Sequence, residues 1–183
     1  MISNPMIYIH IPFCKSRCGY CDFFSTNDIS NQGQYLALLK SELSAAPKRA
    51  DSIYVGGGTP SALMPGAVSE ILGMLPAAAE VTVEVNPDTF ADSKLEEYIL
   101  AGVSRISLGV QSLNDGALKA VKRRHTAAQA LAVMRKIKGT ADLSADIILG
   151  LPGDTLNTLE NTIEQILEIR PEHVSAYLLS NLK

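Results

Sequence analysis

The sequence is poor in cysteine, in basic charge and in long apolar runs, and each shortage excludes a class of protein. Its three cysteines fall within eight residues, Cys14 to Cys21, and none lies elsewhere. So odd and crowded a set is unsuited to the disulfide framework of a small secreted domain. It suits a reducing compartment, the cytoplasm, and a metal. Sixteen Lys and Arg against 19 Asp and Glu give a net charge of −3, so no basic field favours nucleic acid. No apolar stretch approaches the roughly 18 residues of a membrane-spanning helix. The opening M-I-S-N-P-M-I-Y lacks the basic-then-apolar layout of a signal peptide. Low-complexity tracts, charge blocks and linker-like segments are missing as well. What is there is a chain of 183 residues, 46% apolar and 19% charged. That is enough to bury a core, with one domain as the default.

Six short segments rich in Ile, Val and Tyr read as strands, at 6–12, 51–57, 80–86, 104–111, 143–150 and 173–180. Helical spacing lies between them: Leu36, Leu39 and Leu43; Val68, Ile71, Leu72 and Leu75; Leu95 and Ile99, capped by Asp92 and stopped by Gly102. Thr126 with Gln129 predicts a capping box before Leu131, Met134 and Ile137, and a last helix carries Leu156, Leu159, Ile163, Ile166 and Leu167. Alternating strands and helices imply α/β architecture with a parallel sheet. A doubly wound sheet would make its central strands apolar on both faces. Here Tyr8 and His10, Thr82 and Glu84, Ser107 and Gln111, Asp146, and Ser175 and Tyr177 put a polar face on strand after strand. That pattern predicts strands curved around a polar lumen, with helices outside. A full eight-unit barrel takes roughly 250 residues, so six strands predict an open partial (β/α)6 TIM-like barrel whose last helix is missing.

Three features carry chemistry. Cys14-Lys15-Ser16-Arg17-Cys18-Gly19-Tyr20-Cys21 follows the first strand, where the loops of such barrels build active sites. Its C-x3-C-x2-C spacing lets three thiolates meet one four-iron centre and leaves one iron open to a small chelator. Zinc held by the cysteines with His10 or water, and inert buried cysteine, are the alternatives. Gly56-Gly57-Gly58-Thr59-Pro60 ends the second strand, where glycine lets backbone approach a ligand closely; a tight turn is the plainer reading. Glu84, Gln111 and Asp146 form a polar set near the strands' carboxyl ends, to bind a ligand or to pair internally with Arg105, Arg123 or Arg124.

Together these features resemble the radical S-adenosylmethionine superfamily. Y-I-H-I-P-F-C-K-S-R-C-G-Y-C-D-F-F-S is similar to the oxygen-independent coproporphyrinogen III oxidase-like group. G-G-G-T-P-S, E-V-N-P-D, I-S-L-G-V-Q-S, R-R-H-T-A, D-I-I-L-G-L-P-G and P-E-H-V-S-A-Y follow in the family's order. The resemblance implies a [4Fe–4S] cluster on Cys14, Cys18 and Cys21. It implies an S-adenosyl-L-methionine site lined by Tyr8, Tyr20, Gly58, Thr59, Glu84, Gln111, Arg123, Asp146 and Ser180. Cleavage of that cofactor to methionine and a 5′-deoxyadenosyl radical is the family's chemistry, and Arg123 is expected to meet a carboxylate. The oxidases of the group carry a further Cys where this chain has Phe23, and C-D-F-F-S looks like the HemW-like heme chaperones. Heme or porphyrin, with hemoprotein clients, are then the implied partners. The family's usual Gly before Arg123 is Lys122 here. The resemblance also implies that 1–183 is one core domain without the family's closing helix and C-terminal domain.

Overall fold

The computed structural model describes residues 5–180. The described residues form six strands, β1 (Met6–Ile11), β2 (Ser52–Gly57), β3 (Glu80–Val85), β4 (Arg105–Gln111), β5 (Asp142–Leu149) and β6 (His173–Leu178). The helices between them are α1 (Gln32–Leu43), α2 (Ala67–Gly73), α3 (Asp92–Leu100), α4 (Asp115–Ala120), α5 (Ala127–Ile137) and α6 (Leu156–Ile169). All strands are parallel and pair in chain order, β1 through β6. Short crossovers favour neighbours in sequence becoming neighbours in such a sheet. Segments that follow β1 and β6 wall the same cavity, so the sheet curls into the open partial barrel that the polar faces predict.

The side-chain period of two sorts each strand onto two faces. Ile7, Ile9 and Ile11, then Val81, Val83 and Val85, then Ile106, Leu108 and Val110 are buried under the helices. Met134, Ile137, Leu72, Ile71 and Tyr98 close over them. Each such aliphatic side chain stabilises the fold by about 2 kcal/mol. The opposite face carries Tyr8, Tyr54, Glu84, Ser107 and Asp146. β6 is largely exposed along its length, since the described residues place no helix on its outer face.

The caps mostly follow the sequence. Thr126 and Gln129 form the capping box of α5, and Thr155 caps α6. Gly102 ends α3 at φ +88°. Asp92 is corrected: Ala91 is the N-cap, and Asp92 is the first helical residue, paired with Lys136 at 2.5 Å. Helix α4 was not legible. It is six residues long and contains Gly116, and its start rests on Asn114, whose Oδ1 accepts from the amides of Gly116 and Ala117.

Candidate metal centre and cofactor site

The cysteine loop leaves β1 through Phe13 and is pinned at both ends. The Cys14 amide donates to Thr26 O at 3.0 Å, and the Gly19 amide donates to Val121 O at 3.0 Å. The second bond ties the loop to the end of α4, where the chain reverses in a Schellman motif. Arg123 N donates to Leu118 O at 2.9 Å and Lys122 N to Lys119 O at 3.1 Å. That motif needs a left-handed residue in its middle, and Lys122 supplies it at φ +60°. A glycine adopts this conformation without cost, which accounts for the glycine of the family pattern. The turn sends Arg123 inward.

A hydrogen-bond chain then joins two of the cysteines. Thr59 Oγ1 donates to Cys14 Sγ at 3.5 Å and accepts from Asn86 Nδ2 at 2.9 Å. Asn86 Oδ1 accepts from Arg123 Nη2 at 2.7 Å, and Arg123 Nη1 donates to Cys18 Sγ at 3.6 Å. The same Nη2 donates to Gly109 O at 2.7 Å. A Cβ at Gly109 would lie 2.8 Å from Asn86 Oδ1 and 3.1 Å from Arg123 Nη2, so these hydrogen bonds fit only over glycine. Donors aimed at sulfur favour anionic thiolates and tune whatever metal they hold. Cys14 is buried, Cys18 and Cys21 are half-buried, and all three are free thiols. Burial pushes the Cys21 thiol up.

The three cysteines line one end of a cavity of about 570 Å³. Tyr20, Gly58, Thr59, Glu84, Gln111, Arg123, Asp146 and Ser180 line it too. Of the residues the resemblance assigns, only Tyr8 stands off this wall. It bonds His10 Nδ1 at 3.1 Å and stacks on Tyr54 with ring centroids 6.0 Å apart. Tyr54 in turn donates to Glu84 Oε1 at 2.7 Å, and the Gly57 amide donates to Oε2 at 3.0 Å. Glu84 is therefore held by Tyr54 and backbone, not by the arginines expected as internal partners. Asp146 Oδ2 accepts from Ser107 at 2.8 Å. Burial raises both carboxyls above the ordinary range. Tyr20 packs on a small apolar cluster with Val121, Ile148 and Leu151, and burial pushes its hydroxyl up. Gln111 occupies φ +66° in a tight turn where Ser112 N donates to Val110 O at 2.9 Å. Such a turn is strained and places the Gln111 side chain at the cavity.

The glycines of 56–58 also serve close approach of the protein to itself, while Gly57 and Gly58 line the cavity. A Cβ at Gly57 would sit 2.6 Å from the His10 ring, and one at Gly56 2.8 Å from the Glu84 carboxyl. Both His10 nitrogens are engaged, by Tyr8 and by Phe24 O at 2.9 Å, so His10 is not poised as a zinc ligand. Among the described residues no three Cys, His, Asp or Glu side chains gather tightly enough for a single ion. A cubane makes no such demand, because each thiolate takes its own iron. Asn86, Ser107 and Tyr54 were missed as site residues, though the alternation of polar positions in β2, β3 and β4 places them on the lumen face.

The neighbouring residues Arg123, Arg124 and His125 separate completely. Arg123 turns to Cys18, Arg124 pairs with Asp88 at 3.3 Å, and His125 is buried with Nε2 3.1 Å from Val110 O. Burial first, then the Arg123 charge, holds His125 down at about 4 from its ordinary 6.5. The folded ring is neutral where the unfolded ring already binds a proton. Stability should therefore fall by about 3 kcal/mol as pH drops from 6.5 to about 4. Urea unfolding across that range measures it, and His125→Gln should flatten the slope.

The cavity fits an amino-acid-bearing cofactor. Asp146 Oδ1 and Arg123 Nε are buried without a partner, one unmet acceptor and one unmet donor among the residues lining the cavity. An ammonium or hydroxyl and a carboxylate would satisfy them.

Comparison with known proteins places this geometry. The profile of the radical SAM superfamily matches residues 8–166. The heme chaperone HemW of Haemophilus influenzae is 34% identical over 95% of this chain and 50% of its own length. That of Bacillus subtilis is 35% identical over 94% and 49%. The mitochondrial radical S-adenosyl methionine domain-containing protein 1 of Danio rerio is 34% identical over 95% and 42%. The chain thus spans about half the length of the curated relatives it matches. Among solved structures, the coproporphyrinogen III oxidase HemN of Escherichia coli superposes with a TM-score of 0.87 at 26% identity, over 98% of this chain and 45% of that one. The methyltransferase TsrM of Kitasatospora setae shares the fold at a TM-score of 0.68 and 12% identity, over 97% and 35%. No helix among the described residues is long and apolar enough to cross a membrane.

Proposed function

Because the chain belongs to the radical SAM superfamily, we propose that residues 1–183 are the cofactor-binding core domain of a HemW-like heme chaperone acting in the cytoplasm. The observation that carries this reading is the joining of Cys14 and Cys18 through Thr59, Asn86 and Arg123 at one end of a cavity whose lining bears unmet polar groups. Cys14, Cys18 and Cys21 hold a [4Fe–4S] cluster in this reading, and the cavity holds S-adenosyl-L-methionine. When bound, this pair supplies reductive cleavage of the sulfonium. The chain's own residues bind and orient. Asp146 Oδ1 would accept from the ligand's ammonium or ribose, and Arg123 Nε would donate to its carboxylate. Glu84, fixed by Tyr54 and Gly57, offers a rigid acceptor. Heme or a porphyrin is the cargo of the whole protein, for passage to hemoprotein clients.

A second reading, oxidative decarboxylation of coproporphyrinogen, is favoured by the likeness to the E. coli oxidase. Phe23, where the oxidases of the group carry a further Cys, speaks for the chaperone. Anaerobic reconstitution should load about four irons per chain with a broad absorbance at about 400 nm. The protein should then release 5′-deoxyadenosine when reduced. Heme binding without vinyl-group formation by the longer protein supports the chaperone, and turnover of coproporphyrinogen supports the oxidase. Stoichiometric zinc with no iron would overturn both.

A further inference from the structure

We propose that Lys94, a half-buried lysine of α3, is a positioning residue for the metal centre. It fixes the turn that carries Thr59 and Ser61 and, through that turn, the donors that reach the Cys14 and Cys18 sulfurs. The proposal rests on the reading of Cys14, Cys18 and Cys21 as cluster ligands and adds the residue that holds their hydrogen-bond donors in place.

Lys94 Nζ donates to Ser61 O and, at 2.9 Å, to Leu63 O. These carbonyls lie in and just after a short 3-10 turn, Pro60–Ala62, that follows β2. Among the described residues no carboxylate pairs with Lys94. Glu97, one turn further along α3, accepts instead from Ser69 Oγ at 2.9 Å. Withdrawing an ammonium from water is costly, and an apolar side chain would cover the turn without that cost. The use of a cation here therefore points to what its donors hold. Burial pulls the amine below its ordinary value; Glu97 opposes this and the Lys15 charge adds to it. The effect of Lys15 puts Lys94 within electrostatic reach of the cysteine loop.

The turn that Lys94 grips leads to both sulfurs. Ser61 is 1% exposed. Its Oγ accepts from the Asn86 amide at 3.2 Å and bonds Thr89 Oγ1 at 2.6 Å. Thr89 Oγ1 donates in turn to Asn86 O at 3.1 Å. The Asn86 backbone is thus held at its N–H and its carbonyl, which aims the side chain. That side chain meets Thr59 on one branch and Arg123 on the other. The Ala62 amide closes the turn on Thr59 O at 2.8 Å. Release of Ser61 O and Leu63 O would loosen Thr59 directly and Arg123 through Asn86.

Donors and positive charge beside the sulfurs favour the reduced, more negative cluster, so loosening them lowers its potential. Lys94→Met, reconstituted anaerobically, should keep about four irons per chain. Its reduction equilibrium should fall about tenfold in a redox titration, about 59 mV for one electron. Lys94→Gln should move the potential the same way should the Met variant fail to fold. Lys94→Arg keeps charge and donors and should restore the parent potential. Lys136→Met removes an exposed cation paired with Asp92 and should leave it unchanged. In a Thr59→Val background the Lys94→Met shift should shrink to less than about half, because the hydroxyl being positioned is gone.

Hydrogen exchange of the cluster-free chain reads the same link without iron. Lys94→Met should speed exchange of the Thr59, Ala62 and Asn86 amides about tenfold and leave β4 and β5 unchanged. An unmoved potential in the iron-loaded variant overturns the proposal, since Lys94 then only braces the fold. An equal shift in Lys136→Met also overturns it, since any nearby cation would then serve. If the parent takes up no iron, the cluster reading fails on its own and exchange decides the role of Lys94. Local release at those three amides upholds its hold on the turn, and unaltered exchange overturns it.

Discussion

Cys18→Ala should leave the chain unable to hold its cluster. After anaerobic reconstitution the variant should carry less than about one iron per chain, against about four for the parent, and lose the absorbance at about 400 nm. Cys18 stands between Cys14 and Cys21 in a loop fixed by the Cys14–Thr26 and Gly19–Val121 backbone bonds. That loop has no slack with which to bring another donor to the vacant iron. The loss should not come from unfolding, because the Cys18 side chain is half-buried at the cavity and outside the apolar core. Far-ultraviolet circular dichroism of the variant should match the parent. Arg123→Met separates ligation from tuning. It removes the donor to Cys18 Sγ and should keep the iron while moving the cluster to a more negative potential, since a cation beside the sulfur stabilises the reduced, more negative state. Four irons retained in Cys18→Ala would remove Cys18 from the ligand set.

Gly58→Ala should cost about 2–3 kcal/mol, read as a drop in Tm of about 6–10 °C. The new Cβ would lie 2.8 Å from Ile11 O, 2.9 Å from Phe13 O and 3.0 Å from the Pro12 carbonyl carbon. All three are backbone atoms of the segment that delivers Cys14, so no side chain can swing aside. The Gly58 amide also donates to Ile11 O at 2.7 Å and the Thr59 amide to Phe13 O at 2.8 Å. Prising these strands apart withdraws the Thr59 hydroxyl from Cys14, so iron loading should fall along with stability. Gly73→Ala is the matched control. Its Cβ would meet nothing within 4 Å in helix α2, and it should stabilise by up to about 1 kcal/mol. Equal tolerance of alanine at both positions would show that Gly58 is a turn residue without a packing role.

The strands and their faces were legible because a period of two is local and each strand repeats it. Ile7, Ile9 and Ile11 declare a buried face within six residues. The capping box of α5 was legible for the same reason, since Thr126 and Gln129 are three residues apart. Helix α4 hid because Gly116 breaks its pattern and its cap lies in one side chain, Asn114.

The cysteine spacing was local too, and by itself the sequence determined the cysteine loop, the polar lumen and the parallel order of strands. Only the tertiary structure decided what surrounds the sulfurs. Thr59 meets Cys14 across 45 residues, Arg123 meets Asn86 across 37 and Cys18 across 105. No pattern along the chain announces such pairings. The Thr59 pairing follows from the backbone bonds of Gly58 and Thr59 to Ile11 and Phe13, and those of Arg123 from a left-handed turn at Lys122 that sends three consecutive basic residues in three directions, one to a sulfur, one to a surface carboxylate and one into the core. Side-chain type is written in the sequence, but partner choice depends on where strand order and helix ends bring donors and acceptors within about 3 Å, and that is a property of the folded chain.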